Sequence, residues 1–241
     1  VSWQPRGKSV RRLNSVNDDV DSPIFVAGGT GFLGRALIGQ LLARGHPVTG
    51  LVRPGRGVAL PARSIAVSGD PLDEATFRHL VPPRCTYIHL VGTRKPAPWK
   101  EREFRSVDLV SLEQSVRAAV MAEASHFIYL SGAQPAPIMK AYIRVRAQCE
   151  AILLGTGLPA TILRPWYVLG PGRRWPLLLM PVFRLMELLG SKTAQRLGFV
   201  RLDEMVGALV WAVDNPGSRV LEAPDIRRVA ASLKSAPAGA E

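Results

Sequence analysis

Cysteine is nearly absent from this sequence, which has Cys85 and Cys149 and no others in 241 residues. The two stand far apart, Cys85 at the head of an apolar run and Cys149 inside a helical pattern. Neither a disulfide framework nor a CxxC motif can be built from them, and such usage fits a reducing compartment. Histidine is scarce as well. His46, His79, His89 and His126 show no metal-ligand spacing, so no metal is expected. Acidic residues number 19 against 31 lysines and arginines, leaving a net charge of +12. A field of that sign attracts polyanions, anionic membrane surfaces or phosphorylated small molecules. No helix-turn-helix pattern, zinc-finger spacing or RNA-binding aromatic motif turns the charge into nucleic-acid recognition, and no specific nucleic-acid partner is expected. Long hydrophobic runs are missing too. The strongest, from Trp175 to Phe183, ends at Arg184 after about nine residues, whereas a bilayer span takes roughly 20. Arg173, Arg174, Arg184 and Lys192 surround this run. It suits a lid helix packed on the protein or, as the alternative, a basic apolar face resting on an anionic membrane. The first twenty or so residues carry no apolar stretch of the secretory kind and read as a flexible tail, 1–22. Residues 233–241 read as another. The expected location is cytoplasmic, with the inner face of a membrane as the peripheral alternative.

What is present is a nucleotide-binding pattern. Ile24 to Ala27 is an apolar run, readable as a buried strand, that enters Gly28-Gly29-Thr30-Gly31-Phe32-Leu33-Gly34. Apolar residues at helical spacing follow: Phe32, Leu33, Ala36, Leu37, Leu41 and Leu42. Gly28 permits the tight turn, Gly31 lets backbone approach a pyrophosphate, and Gly34 lets helix and strand pack closely. Amide groups at the helix start then face negative charge. The next β run, His46 to Val52, ends on Arg53, with Arg56 close behind and no nearby acid. An NAD-selective site usually places Asp or Glu there to bind the ribose hydroxyls. Arginine instead matches a ribose phosphate, so NADP(H) is expected over NAD(H). Asp70, after the third strand with Pro71 beside it, is placed at the adenine.

Strand and helix signals alternate from there. Strands are expected over 64–68, 86–91, 126–130, 160–163 and 219–222, with a helix starting at Asp73, a long one over 101–123 with its apolar positions at Phe104, Val107, Leu112, Val116 and Val120, and others over 142–154 and 202–213. The alternation predicts an α/β fold, a Rossmann-type doubly wound parallel sheet with a small C-terminal lid. Its hydrophobic content of 47% supports one sizeable core. The expected organisation is a cofactor-binding core over 23–165 and a substrate-side lid with sheet completion over 166–232, all one domain. Gly28, Arg53, Asp70, Gly92, Ser131 and Pro165 fall just past strand ends, where ligands of such sheets bind.

The glycine motif together with Gly69-Asp70, Ile88 to Gly92, Tyr129-Leu130-Ser131 and Leu163-Arg164-Pro165 resembles the extended and atypical short-chain dehydrogenase/reductases. The nearest flavour is the NAD(P)H-binding, epimerase-like branch that includes NmrA-type and complex I accessory-subunit-like proteins. The resemblance covers 24–172 and weakens through Val220. It implies cofactor contacts from Gly28, Thr30, Gly31, Phe32, Leu33, Gly34, Arg53, Asp70, Pro71, Val91, Gly92, Tyr142, Arg146, Pro165 and Tyr167. Trp166 and Tyr167 would shape the substrate pocket. It also implies a catalytic centre of Tyr142, Arg146 and Ser131, in which tyrosine exchanges a proton with a carbonyl/alcohol couple while the nicotinamide carries hydride. Arg146 stands where this family has lysine, and Gly132, Ala133 and Gln134 offer no second hydroxyl after Ser131. Restoring lysine by Arg146→Lys is therefore expected to keep or raise activity. Two functions follow: an NADP-dependent oxidoreductase or epimerase-like enzyme on a small carbonyl/alcohol or apolar substrate, or a non-catalytic NADP(H)-binding sensor or assembly factor.

Overall fold

In the computed structural model the residues described are 22–55, 59–93, 96–135, 139–169 and 198–235. The run Ile24–Ala27 forms β1, buried at every position, and leads through the glycine turn into α1 (Phe32–Ala43). Four further strands appear where the apolar runs predict them: β2 (Val48–Val52), β3 (Ile65–Ser68), β4 (Thr86–His89) and β5 (His126–Leu130). The helical segment between β4 and β5 consists of α2 (Glu101–Glu103), a π-helical turn (Phe104–Leu109) and α3 (Val110–Met121). Then come α4 (Lys140–Leu154), β6 (Ala160–Arg164), the short strands β7 (Tyr167–Leu169) and β8 (Phe199–Arg201), α5 (Leu202–Asp214), β9 (Arg219–Glu222) and α6 (Ala223–Ser235).

Seven strands pair in the order β3-β2-β1-β4-β5-β6-β9, every pair parallel. The strand order reverses between β1 and β4, which opens a crevice at the carboxyl edge. Alternate strand residues feed the two faces. Phe25, Tyr87 and Phe127 stack on one, with ring centroids 5.1 Å apart at each step, and α3 and α4 cover them with Leu112, Val116 and Leu153. Val26, Ile88, Ile128 and Leu163 face the other, under Leu37 and Leu41 of α1 and Leu209 of α5.

Three expectations need correction. The segment starting at Asp73 makes two 3-10 turns, Glu74–Thr76 and Arg78–Leu80, not a helix. Between them Phe77 turns inward to stack on Phe25, with centroids 6.3 Å apart, and Pro82-Pro83 follows at once. Val120, expected on the buried stripe of the long helix, is exposed. Within 166–232 the described residues include a sheet-completing strand, β9, which closes the sheet's edge, while α5 covers the α1 face of the sheet. The last helix continues through Ser235, beyond residue 232. The apolar run Trp175 to Phe183 and Arg56 lie outside the described residues. No helix among the described residues is long and apolar enough to cross a membrane.

Candidate functional site

The glycine turn is built as a close-packed cradle. Gly28 has φ +92°, and a Cβ there would come within 2.8 Å of the Leu90 carbonyl carbon beyond β4. A Cβ on Gly34 would lie 2.4 Å from the Gly28 oxygen and 2.7 Å from the Gly29 Cα, so the absence of a side chain brings α1 down onto the turn. Gly31 is different. It is exposed, and a Cβ there would meet only the Gly28 oxygen, at 3.2 Å. Backbone at this point is open to a ligand. Gly31 caps α1 without a side-chain hydrogen bond, and no acid sits in the first turn to compete for an anion. Thr30, Phe32 and Leu33 are half-buried around the same turn.

Arg53 is exposed immediately past β2, between the glycine turn of β1 and the end of β3. Asp70 follows β3 by two residues, and its Oδ1 accepts the Leu72 amide at 3.0 Å while Pro71 is buried beneath. The nearby acid Asp73 caps the first 3-10 turn through the Ala75 amide. Glycine turn, Arg53 and Asp70 thus occupy the half of the carboxyl edge on the β1-β2-β3 side.

Across the switch point, Tyr142 and Arg146 occupy one face of α4 and reach the ends of β4 and β5. The Tyr142 ring lies on Gly132, where a Cβ would sit 3.0 Å from its Cε1. Phe104 meets the ring edge-on at 5.1 Å, and the Arg146 guanidinium carbon is 5.0 Å from its centroid. Gly132 is held by the loops flanking it: the Ser131 amide donates to Leu163 O at 2.8 Å and the Ala133 amide to Pro165 O at 3.1 Å.

Arg146 is turned inward. Its Nη2 donates to Asp108 Oδ1 at 2.6 Å, and its Nη1 to the Tyr129 hydroxyl and to Leu130 O, each at 3.0 Å. Gly92 makes room: a Cβ there would be 2.6 Å from Arg146 Nη2. Asp108 is fully buried, and its Oδ2 accepts the Thr93 amide at 2.9 Å and the Thr93 hydroxyl at 2.5 Å. The π-helical turn aims Phe104 at Tyr142 and Asp108 at Arg146. Such turns cluster at functional sites. Burial works against the Arg146 charge, but the oxygens of Tyr129, Tyr142 and Asp108 outweigh it, and the guanidinium stays protonated. Burial raises the Tyr142 phenol; Arg146 opposes this, Asp108 reinforces it, and the net is above the ordinary tyrosine value.

Ser131 faces a second cluster. Its hydroxyl donates to Glu150 Oε1 at 2.5 Å, and Gln134 Nε2 donates to the same oxygen at 2.7 Å. Arg164 closes on both Glu150 oxygens from β6. Tyr142, Arg146 and Glu150 lie at successive i,i+4 positions of α4, so one helix face carries both clusters. Asp108 and Glu150 were not among the sequence candidates. Asp108 falls in the middle of the series Phe104, Leu112, Val116, an acid in an apolar stripe, and that is the signal of a paired buried carboxylate. Val91 and Pro165 line the edge, and Tyr167 in β7 packs edge-on against Phe199 of β8 at 6.3 Å. Trp166 is half-buried beside them. A groove of about 420 Å³ between α1, α5 and α6 includes none of these residues.

A nicotinamide dinucleotide fits this arrangement on two structural grounds. The cradle is open only at Gly31, and Arg146 Nε is a buried donor with no hydrogen-bond partner.

The sequence pattern of a protein family described as NAD(P)H-binding matches residues 28–173, more than half of the chain. The chain belongs to that family. A 3-diazoavenalumate denitrifying reductase of a Streptomyces species is 26% identical over 233 residues, covering 84% of this chain and 75% of that protein. Among solved structures, the Bordetella bronchiseptica enzyme WbmH in complex with NAD+ matches with a TM-score of 0.64 at 22% identity, covering 92% of this chain and 84% of its own. A UDP-galactose 4-epimerase matches with a TM-score of 0.64 at 17% identity, over 88% of this chain and 83% of its own. These likenesses show that the fold is the Rossmann-type α/β arrangement of those proteins.

Proposed function

We propose that this chain is an NADPH-dependent reductase of small unsaturated acceptors, with Tyr142 as its proton donor. One observation carries the reading. A phenol on α4 is held against Gly132 on the far side of the switch point from the glycine cradle, where the reactive end of a dinucleotide anchored in that cradle would extend. When bound, the cofactor supplies hydride. The chain's own residues do the rest: Gly28, Gly31 and Gly34 cradle the pyrophosphate, Arg53 takes the ribose phosphate, and Asp70 with Pro71 borders the adenine. Val91, Gly92, Pro165 and Tyr167 flank the nicotinamide half, with Arg146 Nε as a donor toward its ribose. The reductase named above supports a reductive reaction on this fold.

A non-catalytic NADPH-binding role is the second reading. It is favoured by two departures: Arg146 is engaged by Asp108 in place of a free lysine, and the Ser131 proton is given to Glu150. The two are separated by following NADPH oxidation against aldehydes, ketones, quinones and diazo compounds. An enzyme consumes NADPH with at least one class, and Tyr142→Phe lowers that rate by roughly 10²–10⁴-fold while leaving NADPH affinity nearly intact. Tight NADPH binding without turnover on any class would support the sensor or assembly reading.

A further inference from the structure

We propose that Asp108 is a positioning residue that neutralises Arg146 and thereby commits Tyr142 to donating a proton, so that the site runs reduction and not the alcohol oxidation that opens an epimerisation. This deepens the reductase reading and rests on it.

The geometry is specific. A cation beside a tyrosine favours phenolate, the form that removes a proton from an alcohol. Here the cation beside Tyr142 is already in a buried ion pair, Arg146 Nη2 to Asp108 Oδ1 at 2.6 Å, with the Asp108 side chain wholly buried. The pair is fixed from both ends. Thr93 gives two hydrogen bonds to the other Asp108 oxygen, and Tyr129 and Leu130 hold the other guanidinium nitrogen. Seen from the Tyr142 ring, the charge is that of a dipole and not of a free cation, while Phe104 and Gly132 exclude solvent from two sides. Among the described residues, other charged groups near the ring are few. Glu150 on the same helix face is neutralised by Arg164, His89 is buried and uncharged, and Arg144 and Lys140 of α4 are exposed. The balance leaves Tyr142 protonated at neutral pH.

The corresponding step is complete in atoms and electrons. The acceptor carbon gains hydride, and its two electrons come from the nicotinamide, which is oxidised. The proton of the Tyr142 hydroxyl passes to the acceptor heteroatom, and solvent returns a proton to the phenolate. The reverse order, oxidation first, would require the phenolate at the outset.

The test is the titration of Tyr142 itself, read by NMR of the protein with 13C-labelled tyrosine rings. Four tyrosines are present, and Tyr142→Phe identifies the resonance. In the native protein the Tyr142 resonance is expected to begin titrating only above the ordinary tyrosine range; ionisation near neutral pH overturns the proposal. In Asp108→Asn, which leaves the guanidinium uncompensated, the titration is expected to move down by about one unit or more, a tenfold change in the ionisation constant. An unchanged titration in a folded Asp108→Asn protein overturns it too. The native measurement stands even where that variant does not fold. Neither reading depends on cofactor, so failure to bind NADPH would remove the reductase reading while leaving the ion-pair result intact.

Discussion

Arg146 shows how one residue acquires a different job from the one its position implies. At the position four after Tyr142, lysine would be a compact point charge. Arginine is a planar fork, and this fold uses the fork: two nitrogens serve Asp108, Tyr129 and Leu130 together. A lysine ammonium could not reach all three acceptors. The expectation that Arg146→Lys keeps or raises activity is therefore revised. The substitution is expected to leave buried acceptors unpaired, at about 1–3 kcal/mol each, lowering the thermal midpoint without raising any turnover. Calorimetric scanning with a parallel rate assay checks this; a more active and equally stable lysine variant would restore the simpler view. The tyrosine, the arginine and their spacing were legible in the sequence. That Arg146 points into the protein was not, because the partner that draws it there lies 38 residues earlier on another helix.

At the scale of elements, the glycine turn separates two kinds of close approach. A Cβ on Gly34 meets backbone at 2.4 Å, whereas one on Gly50 of β2 meets the tip of Leu60 at 2.5 Å. Backbone cannot step aside, but a leucine methyl can. Gly34→Ala is expected to cost about 1–3 kcal/mol and to weaken cofactor binding, since α1 is pushed off the turn. Gly50→Ala is expected to cost far less, although it sits in the next strand. Urea unfolding of both variants compares them, and equal losses would contradict the packing account. The strands were readable because parallel-sheet strands are continuous apolar runs bounded by turns. The segment after Asp73 was misread because its start signals are genuine, while burial of Phe77 by the distant Phe25 breaks the helix. The π turn left no periodicity to read, and only the acid at Asp108 within an apolar stripe hinted at it.

At the scale of the whole molecule, two buried histidines tie stability to pH. Burial pushes His89 down to about 3 and His126 to about 4, from an ordinary 6.5. Above pH 6.5 both are neutral folded or unfolded and contribute no pH dependence. As pH falls from there toward 4, the unfolded chain takes up protons that the folded one refuses, so stability is lost. The expected slope is up to about 1.4 kcal/mol per pH unit for each histidine. Unfolding midpoints followed downward through this range test it, and a flat profile would mean that these rings are solvated in the native state. The strong positive charge belongs to this scale as well, and a phosphorylated small molecule is among the anions such a field attracts. Calorimetric titration of the protein with NADPH and with NADH measures that directly, alongside Arg53→Ala. The account predicts that NADPH binds more tightly by about 1.5–3 kcal/mol and that Arg53→Ala removes most of the difference. Equal affinities in the native protein would contradict the role given to Arg53, and failure to bind either cofactor would contradict the function proposed for the whole site.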